Sequence, residues 1–290
     1  MTITNGLTLG LKLGIVGVAG DAGGGGGGGG ENIDADPLLG DIISNPIMEI
    51  SPALAASYSG TGTTCSNVVQ ATGTAYDFDM KTSTFVGTAG TSSAYFIPSS
   101  TTNAPVIKNG NTNFIIDMVN HSAGDWCYIF AGRTPTASSG HMIPFSTGAL
   151  GANSIYNNSV DLYLLSSNRA YSIFNNGAGN RQNLANFGGA SSGEDKIFGV
   201  SYNSSTNQIT FFIGENTTGV TVPMAIPNNS GSPETTLIRD LTISRVEGAF
   251  GSFSTNGRFY TKALHASQMS SAQFIEAKAM LETRHDTTFN

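Results

Sequence analysis

Short runs of β-forming residues alternate with Gly, Ser, Thr and Asn turns along the chain from about residue 51. The clearest case pairs Lys196–Tyr202 with Gln208–Ile213 across the polar residues 203–207, which is turn chemistry at hairpin length. Strand signals at roughly even spacing are typical of an antiparallel sandwich. The same pattern predicts further strands at Ala75–Phe78, Ala94–Ile97, Asn113–Val119, Trp126–Ala131, Val160–Leu165, Ala170–Phe174, Leu237–Val246 and Gly257–Lys262.

The composition favours an all-β chain. Charged residues make up only 11% of the sequence, against about 25% in an ordinary soluble domain. Helical bundles and coiled coils need more Ala, Leu, Glu and Lys than this chain offers. Its 13 Lys and Arg residues against 20 Asp and Glu residues form no basic cluster, so we expect no nucleic-acid partner. No apolar run approaches the roughly 20 residues of a membrane span, so we expect none.

One helix is predicted, over Ser267–Arg284. Ser267 or Ser270 can cap its start. Its apolar residues follow helical spacing, which predicts one face packed on the sandwich: Phe274, Ala277 and Leu281.

The first fifty residues differ from the rest. An extended strand carrying alternate leucines shows one apolar row, which a single short strand cannot bury alone. We interpret this segment as an arm that docks on another subunit, with a frayed tail as the alternative. Eight glycines at 23–30 act as a tether, and residues 31–50 read as an acidic connector. We therefore expect an anchoring arm and linker over 1–50 and a sandwich over 51–290. The candidate partner-binding residues are Leu7, Leu9, Leu11 and Leu13.

Two cysteines, Cys65 and Cys127, can build neither a disulfide framework nor a four-ligand zinc site. One disulfide between them is the alternative to two reduced, buried thiols. We expect the buried thiols, because the N-terminus lacks the basic start of a signal peptide and nothing else indicates secretion. The expected site of synthesis is a cytoplasm.

Three segments carry a family resemblance: the hairpin 196–213, the segment 237–243 followed by 257–264, and the helix after Leu264. Together they resemble the concanavalin A-like lectin/glucanase superfamily in its laminin-G-like branch. The chain departs from the family pattern at Phe212–Glu215, after the hairpin, and in having no glutamate until Glu276 near the last helix. The resemblance implies a jelly-roll β-sandwich over residues 51–290, with an extended glycine-rich N-terminal arm before it and one C-terminal helix.

The resemblance also implies a setting, since such domains behind a short arm are common in tailed-phage virion proteins. We expect a non-enzymatic structural protein located in the virion: a capsid decoration, a head fibre or a tail appendage. It would be a homo-oligomer attached to other virion proteins through residues 1–50. A carbohydrate-binding receptor-recognition domain of a fibre is the second hypothesis, and a polysaccharide depolymerase is the third.

Two sequence features resemble catalytic motifs. Asp77 and Asp79 flank Phe78 and would share one face of a strand, as the paired carboxylates of a glycosidase must share a cleft. The glucanase motif E-x-D-x-x-E is absent, so we interpret the pair as a solvated strand face. The segment 189–193 fits G-x-S-x-G, but a strand rather than a helix follows it. We therefore predict no catalytic residues and no enzyme.

No cofactor or metal site is assigned. The histidines are scattered, and we expect all of them on the surface or in loops: His121, His141, His265 and His285. The resemblance suggests a Ca²⁺ site, in which carboxylates at a loop rim would hold the ion. The loop acids in question are Asp34, Asp36, Asp125 and Asp161, and no family motif fixes them.

Sugars stack on exposed aromatic rings beside Asn and Asp. Trp126 lies within a strand, so we expect it in the core. The candidate glycan-binding residues are Tyr156 with Asn157 and Tyr171 with Asn175, which lie nearer to loops. Because asparagine is equally a turn former, these residues have an alternative, purely structural interpretation.

Overall fold

The computed structural model describes residues 36–69, 71–97, 105–107, 113–120, 122–134, 141–146, 159–165, 169–175, 180–187, 193–224 and 257–290. Its helices are α1 (Asn113–Val119) and α2 (Ser271–His285), with short 3₁₀ turns at Leu39–Asp41 and Gly73–Tyr76. Its strands are β1 (Pro46–Ile50), β2 (Thr64–Cys65), β3 (Phe78–Asp79), β4 (Thr84–Val86), β5 (Tyr95–Ile97), β6 (Val106–Ile107), β7 (Trp126–Arg133), β8 (His141–Ser146), β9 (Ser159–Leu165), β10 (Arg169–Asn175), β11 (Asn180–Asn186), β12 (Asp195–Asn203), β13 (Gln208–Ile213), β14 (Asn216–Pro223) and β15 (Arg258–His265).

These strands form three antiparallel sheets. The largest has eight strands in the order β14-β13-β12-β7-β15-β5-β4, with β1 also paired to β15. A four-stranded sheet, β11-β10-β9-β8, and a three-stranded sheet, β2-β3-β6, complete the set. One face of the large sheet shares a hydrophobic core with both smaller sheets. The all-β sandwich with one C-terminal helix is confirmed.

The central strand β7 is buried on both faces. Because side chains alternate along a strand, Trp126, Tyr128 and Phe130 join the core between the sheets. Cys127, Ile129 and Ala131 face the other way and pack in the cluster under α2. The large sheet therefore has no bare face at its centre.

Helix α2 lies on the outer face of the large sheet. The hydroxyl of Ser270 accepts a hydrogen bond from the Gln273 amide at 3.2 Å, and the Gln273 side chain accepts one from the Ser270 amide. This reciprocal cap confirms the predicted helix and makes Ser270, rather than Ser267, its cap, so the helix begins at Ser271. Phe274, Ala277 and Leu281 are buried, as their spacing predicted.

Several strand predictions are confirmed, including the hairpin of β12 and β13, and two are wrong. Residues 113–119 form α1 rather than a strand, because Ile115 and Met118 bury one helical face. A short apolar run carries too few residues to separate the two periods. Ala75–Phe78 is largely a 3₁₀ turn, and only Phe78–Asp79 pairs as β3. The predicted strand 237–246 lies outside the described residues.

The segment 36–50 belongs to the sandwich rather than to a connector. Leu39 and Ile43 are buried in the cluster under α2, and β1 pairs with β15 through Met48 opposite Leu264. The compact unit that contains the described residues spans Ile33–Asn290. The prediction that residues 31–50 form a linker is therefore wrong for residues 36–50. The leucine arm and the glycine run lie outside the described residues.

Both cysteines are buried as free thiols, as predicted. Burial raises the pKa of Cys65 to about 12 and raises that of Cys127 as well. Among the described residues, no helix is long and apolar enough to cross a membrane.

Candidate functional site

An open pocket of about 430 Å³ lies between the segment 36–42 and helix α2. This volume is in the range of small-molecule sites. We call it the α2 pocket. Its lining residues are Asp36, Pro37, Asp41, Ile42, Glu276, Ala279, Met280, Thr283 and Arg284.

One wall of the α2 pocket is a single helix face. Glu276, Ala279, Met280 and Thr283 stand at helical positions i, i+3, i+4 and i+7, so they line up along α2. The opposite wall is held to the helix by Gln273, whose side-chain amide donates to the Ile42 carbonyl at 3.0 Å. The two walls are therefore fixed relative to each other.

The second wall keeps its shape through the 3₁₀ turn at Leu39–Asp41. The Asp41 carboxylate accepts a hydrogen bond from the Leu38 amide at 2.8 Å. One carboxylate oxygen is used in this bond, and the side chain stays exposed at the pocket. Asp41 can thus accept further hydrogen bonds from a ligand.

A buried ion pair stands behind the pocket. Arg284 donates to the Glu49 carboxylate at 2.9 Å and to the Pro37 carbonyl at 2.7 Å. Glu49 also accepts from the Leu39 amide at 2.8 Å. The two charged side chains are 2% and 1% exposed. Burial raises the pKa of Glu49, and the Arg284 charge opposes that rise.

The guanidinium of Arg284 has one nitrogen without a hydrogen-bond partner among the described residues. This nitrogen is Nε, and the atom is buried. An unsatisfied buried donor costs about 1–3 kcal/mol, and because this atom is sealed from solvent, a ligand in the open pocket does not reach it.

The chemistry of the α2 pocket is mixed. Asp36, Asp41 and Glu276 offer carboxylate acceptors, and the guanidinium of Arg284 lies behind them, bonded to Glu49 and Pro37. Apolar surface comes from Pro37, Ile42, Ala279 and Met280. The arrangement suits a ligand that has several hydrogen-bond donors on its polar edge and one apolar face.

The acids considered for Ca²⁺ do not come together. Asp36 lines the α2 pocket, whereas Asp125 accepts hydrogen bonds from Ser204 and Gln268 at the turn end of the sheet, and these bonds lower its pKa. Asp161 lies in β9, and Asp34 is outside the described residues. Within the described part of the chain, no group of three or more His, Cys, Asp or Glu residues could hold a metal ion.

The predicted glycan-binding residues are only partly described. Tyr171 lies in β10 opposite Tyr163 and Leu184, and Asn175 ends the same strand. Tyr156 and Asn157 lie outside the described residues, as do the arm residues Leu7, Leu9, Leu11 and Leu13. The predicted glycan-binding surface and the predicted docking surface of the arm therefore stay predictions.

The predicted surface or loop position is wrong for His265 and His285, which are both buried. His265 ends β15, and His285 ends α2, where its Nε2 is 2.8 Å from the Thr261 hydroxyl. Desolvation lowers the pKa of His265 to about 4 and that of His285 to about 3. His141 lies in β8, and His121 is outside the described residues.

The acids weighed as a catalytic pair have separate structural partners. Asp77 accepts from the Asn67 amide at 2.9 Å, and Asp79 pairs with Lys81 at 3.1 Å. Residues 189–192 of the G-x-S-x-G segment are outside the described residues. Trp126 is 2% exposed, which confirms it as a core residue.

Sequence reasoning missed Glu49 and Arg284. A signal was present: in β1, Pro-Ile-Met-Glu-Ile, one acid interrupts an otherwise apolar run. In a chain with so few charges, such an acid implies a buried basic partner. The partner could not be identified, because it lies 235 residues away.

Sialidase, CBM40 and receptor-binding structures resemble this fold at low sequence identity. A receptor-binding domain matches with a TM-score of 0.50 and 11% identity over 84% of this chain and 52% of that one. Trypanosoma rangeli sialidase in complex with sialic acid matches with a TM-score of 0.49 and 9% identity over 85% of this chain and 34% of the sialidase. Ruminococcus gnavus IT-sialidase CBM40 matches with a TM-score of 0.40 and 10% identity over 53% of this chain and 83% of the CBM40 chain. No family model and no curated protein matches the sequence.

The match to the receptor-binding domain, at a TM-score of 0.50, agrees with the β-sandwich fold class that the sheets show. The chain spans about a third of the length of the sialidase and about half that of the receptor-binding domain. The prediction that the chain is not an enzyme is corrected, because a sialidase is among the matching structures. That prediction rested on the missing glucanase motif and on the strand after the G-x-S-x-G segment, and the lack of known motifs does not exclude catalysis.

Proposed function

We propose that this chain is a glycan-binding β-sandwich that a phage virion displays, with its N-terminal arm as the attachment. The observation that carries the glycan-binding role is the α2 pocket, in which carboxylates and a buried guanidinium surround apolar surface. The match to a receptor-binding domain supports the fold that this role needs.

A sugar ring fits the mixed chemistry of the pocket. Each hydroxyl is both donor and acceptor, so it can donate to the carboxylates of Asp41 or Glu276. A further ring hydroxyl can donate to the oxygen of Thr283, whose own proton is donated to the Ala279 carbonyl. The C–H face of the ring would lie against Ile42 and Met280. The volume of about 430 Å³ accommodates one or two sugar rings.

The virion setting rests on the arm and on the family resemblance. The alternating leucines at 7–13 and the eight glycines at 23–30 suit a docking strand on a tether. Strand addition would give main-chain hydrogen bonds, and a homo-oligomer would multiply weak contacts by avidity. The proposal covers capsid decoration, head fibre and tail appendage alike.

The glycan-binding role is tested by a glycan array with the full chain, followed by calorimetry on the hits. We expect Glu276→Gln to weaken binding about tenfold, as hydrogen bonds to charged groups contribute about 1.5–3 kcal/mol. Ala279→Trp should abolish binding by filling the pocket. Glu194→Gln, at a 42% exposed carboxylate away from the pocket, is the matched control.

Two outcomes would contradict the pocket assignment. If no glycan binds, the glycan-binding role itself is wrong. If a glycan binds equally well to Glu276→Gln and Ala279→Trp, the site lies elsewhere. Tyr156→Ala and Tyr171→Ala then test the surface that the sequence indicated.

The attachment is tested by co-sedimentation with virions stripped of this protein. The deletion should end at residue 35, because removing residues 1–50 would also remove β1 and the buried Leu39. We expect only the full chain to rebind. Equal rebinding of the truncated chain would mean that the sandwich itself is the docking surface.

Hydrolysis of a bound glycan is the second candidate function. The favouring observation is that more than one carboxylate lines the same open pocket, as glycoside hydrolysis requires. Reducing ends released from a bound oligosaccharide would reveal this activity. It should disappear in both Asp41→Asn and Glu276→Gln if these carboxylates carry it.

A further inference from the structure

A second charged cluster lies where β7 ends and where β12 and β15 begin. Arg133 on β7 stands directly opposite Asp195 on β12 and opposite Arg258 on β15. Directly opposed residues in antiparallel strands share one face of the sheet. Two guanidiniums and one carboxylate therefore meet on the face that carries α2.

A β-bulge completes this cluster. The pairing of β15 with β7 shifts between Phe259 and Thr261, which leaves Tyr260 as the extra residue. Tyr260 and Thr261 then both contact His285 on the α2 side. The bulge brings the phenol of Tyr260 to the charged residues.

The carboxylate of Asp195 is fully engaged within the protein. Arg133 binds it through two N–H groups, at 2.9 and 2.6 Å. The Tyr260 hydroxyl donates to it at 3.0 Å, and the Thr287 hydroxyl does so at 3.3 Å. Asp195 and Arg133 therefore neutralise each other.

Arg258 is the positive charge that remains. One of its N–H groups donates to the Tyr260 hydroxyl at 3.0 Å, and its guanidinium lies 4.4 Å from the centroid of the Tyr95 ring. The side chain is only partly buried. In the described part of the chain, no carboxylate forms an ion pair with it.

We propose that Arg258 forms an oxyanion-binding site, which takes a carboxylate, sulfate or phosphate group. A guanidinium carries five N–H donors in a planar fork that fits such groups through two parallel bonds. Stacking on Tyr95 and the bond to Tyr260 hold the fork in place before a ligand arrives, so less entropy is lost on binding. The site shares no residue with the α2 pocket and does not depend on the glycan-binding proposal.

The oxyanion could belong to a glycan or be free in solution, and three probes separate these sources. They are a trimer of galacturonate, the same trimer with methyl-esterified carboxyls, and inorganic phosphate. Calorimetry at low ionic strength measures the affinity of the full chain for each, because salt screens exposed charges.

We expect Arg258→Met to weaken binding of the galacturonate trimer at least about tenfold, the effect of losing a charge-assisted bond. Binding of the methyl ester should not change. Arg258→Lys keeps the charge but not the planar fork, so its affinity for the trimer should lie between those of the wild type and Arg258→Met. Lys81→Met, at an exposed lysine paired with Asp79, controls for the loss of one positive charge. Thermal unfolding of each variant checks the fold.

The outcomes decide the proposal. Competition of phosphate with the trimer supports a general oxyanion site, and trimer binding without such competition supports an anion carried by a glycan. Equal affinity of wild type and Arg258→Met for both anionic probes overturns the site. An identical loss in Lys81→Met also overturns it, because net charge would then explain the binding. If Arg258→Met fails to fold, equal affinities of wild type and Arg258→Lys overturn the bidentate geometry.

Discussion

The buried pair of Glu49 and Arg284 should be the most sensitive point in the fold, and Glu49→Gln tests it. The amide side chain can still accept the hydrogen bond from the Leu39 amide. It leaves the Arg284 guanidinium, which is 2% exposed, without its counter-charge. Removing one partner of a buried pair costs about 3–5 kcal/mol, because the other charge stays buried and uncompensated.

This loss is measurable by urea and thermal unfolding. About 4 kcal/mol corresponds to a fall in Tm of roughly 10 °C for a unit of this size. Lys278→Met is the matched control, since it breaks the more exposed i,i+4 pair with Glu282 on the same helix. We expect that control to cost about 0.3–0.5 kcal/mol. A loss below about 1 kcal/mol for Glu49→Gln would refute the reasoning from desolvation.

The reverse change, Arg284→Met, adds a pH signature. Burial already raises the pKa of Glu49, and removing the guanidinium takes away the charge that opposes the rise. The folded state of this variant then binds a proton more readily than the unfolded state. Its stability should rise as the pH falls from 7 towards the ordinary glutamate pKa of 4.5. A variant with the same deficit at pH 5 and pH 7 would contradict this account.

Three further predictions concern the sheet under α2. Lys262 is fully buried, and desolvation lowers its pKa far below the ordinary 10.5. The unfolded state therefore binds more protons than the folded state, so the free energy of unfolding rises with pH up to 10.5. Lys262→Met should remove this slope and stabilise the protein by about 1–3 kcal/mol in urea unfolding at pH 7. Gly199→Ala should destabilise it by about 1–3 kcal/mol in the same assay, since a Cβ would lie 2.8 Å from the Phe274 ring. Desolvation lowers the pKa of His265 to about 4 and that of His285 to about 3, so stability should fall as the pH drops below 6.5. Thermal unfolding between pH 7 and pH 4 checks this, and His285→Gln should flatten the dependence.

The sequence was sufficient where local pattern and burial agree. The hairpin of β12 and β13 and the capped helix α2 were predicted because turn chemistry, apolar period and cap residues indicate the same structure. Helix α1 was missed because seven residues with a mixed apolar pattern fit two periods. The placement of β1 was missed because its partner strand, β15, lies more than two hundred residues later.

The α2 pocket could not be predicted from the sequence for the same reason. Its two walls come from the segment 36–42 and from the C-terminal helix, so no local spacing connects Asp41 with Glu276. Sequence reasoning instead selected aromatic residues near loops, which is the general rule for sugar sites. Long-range pairing, not residue type, decides which charged side chains share a surface here.

Burial of the central strands limits where any ligand can bind. The strands β7, β12 and β15 pack against the smaller sheets on one side, and helix α2 with the segment 39–43 covers part of the other. A broad platform at the centre of the large sheet is therefore unavailable. Places outside this centre include the margin of α2 and the ends of the strands. The α2 pocket occupies the margin and Arg258 occupies a strand end, so the way the helix docks on the sheet accounts for the position of both proposed sites.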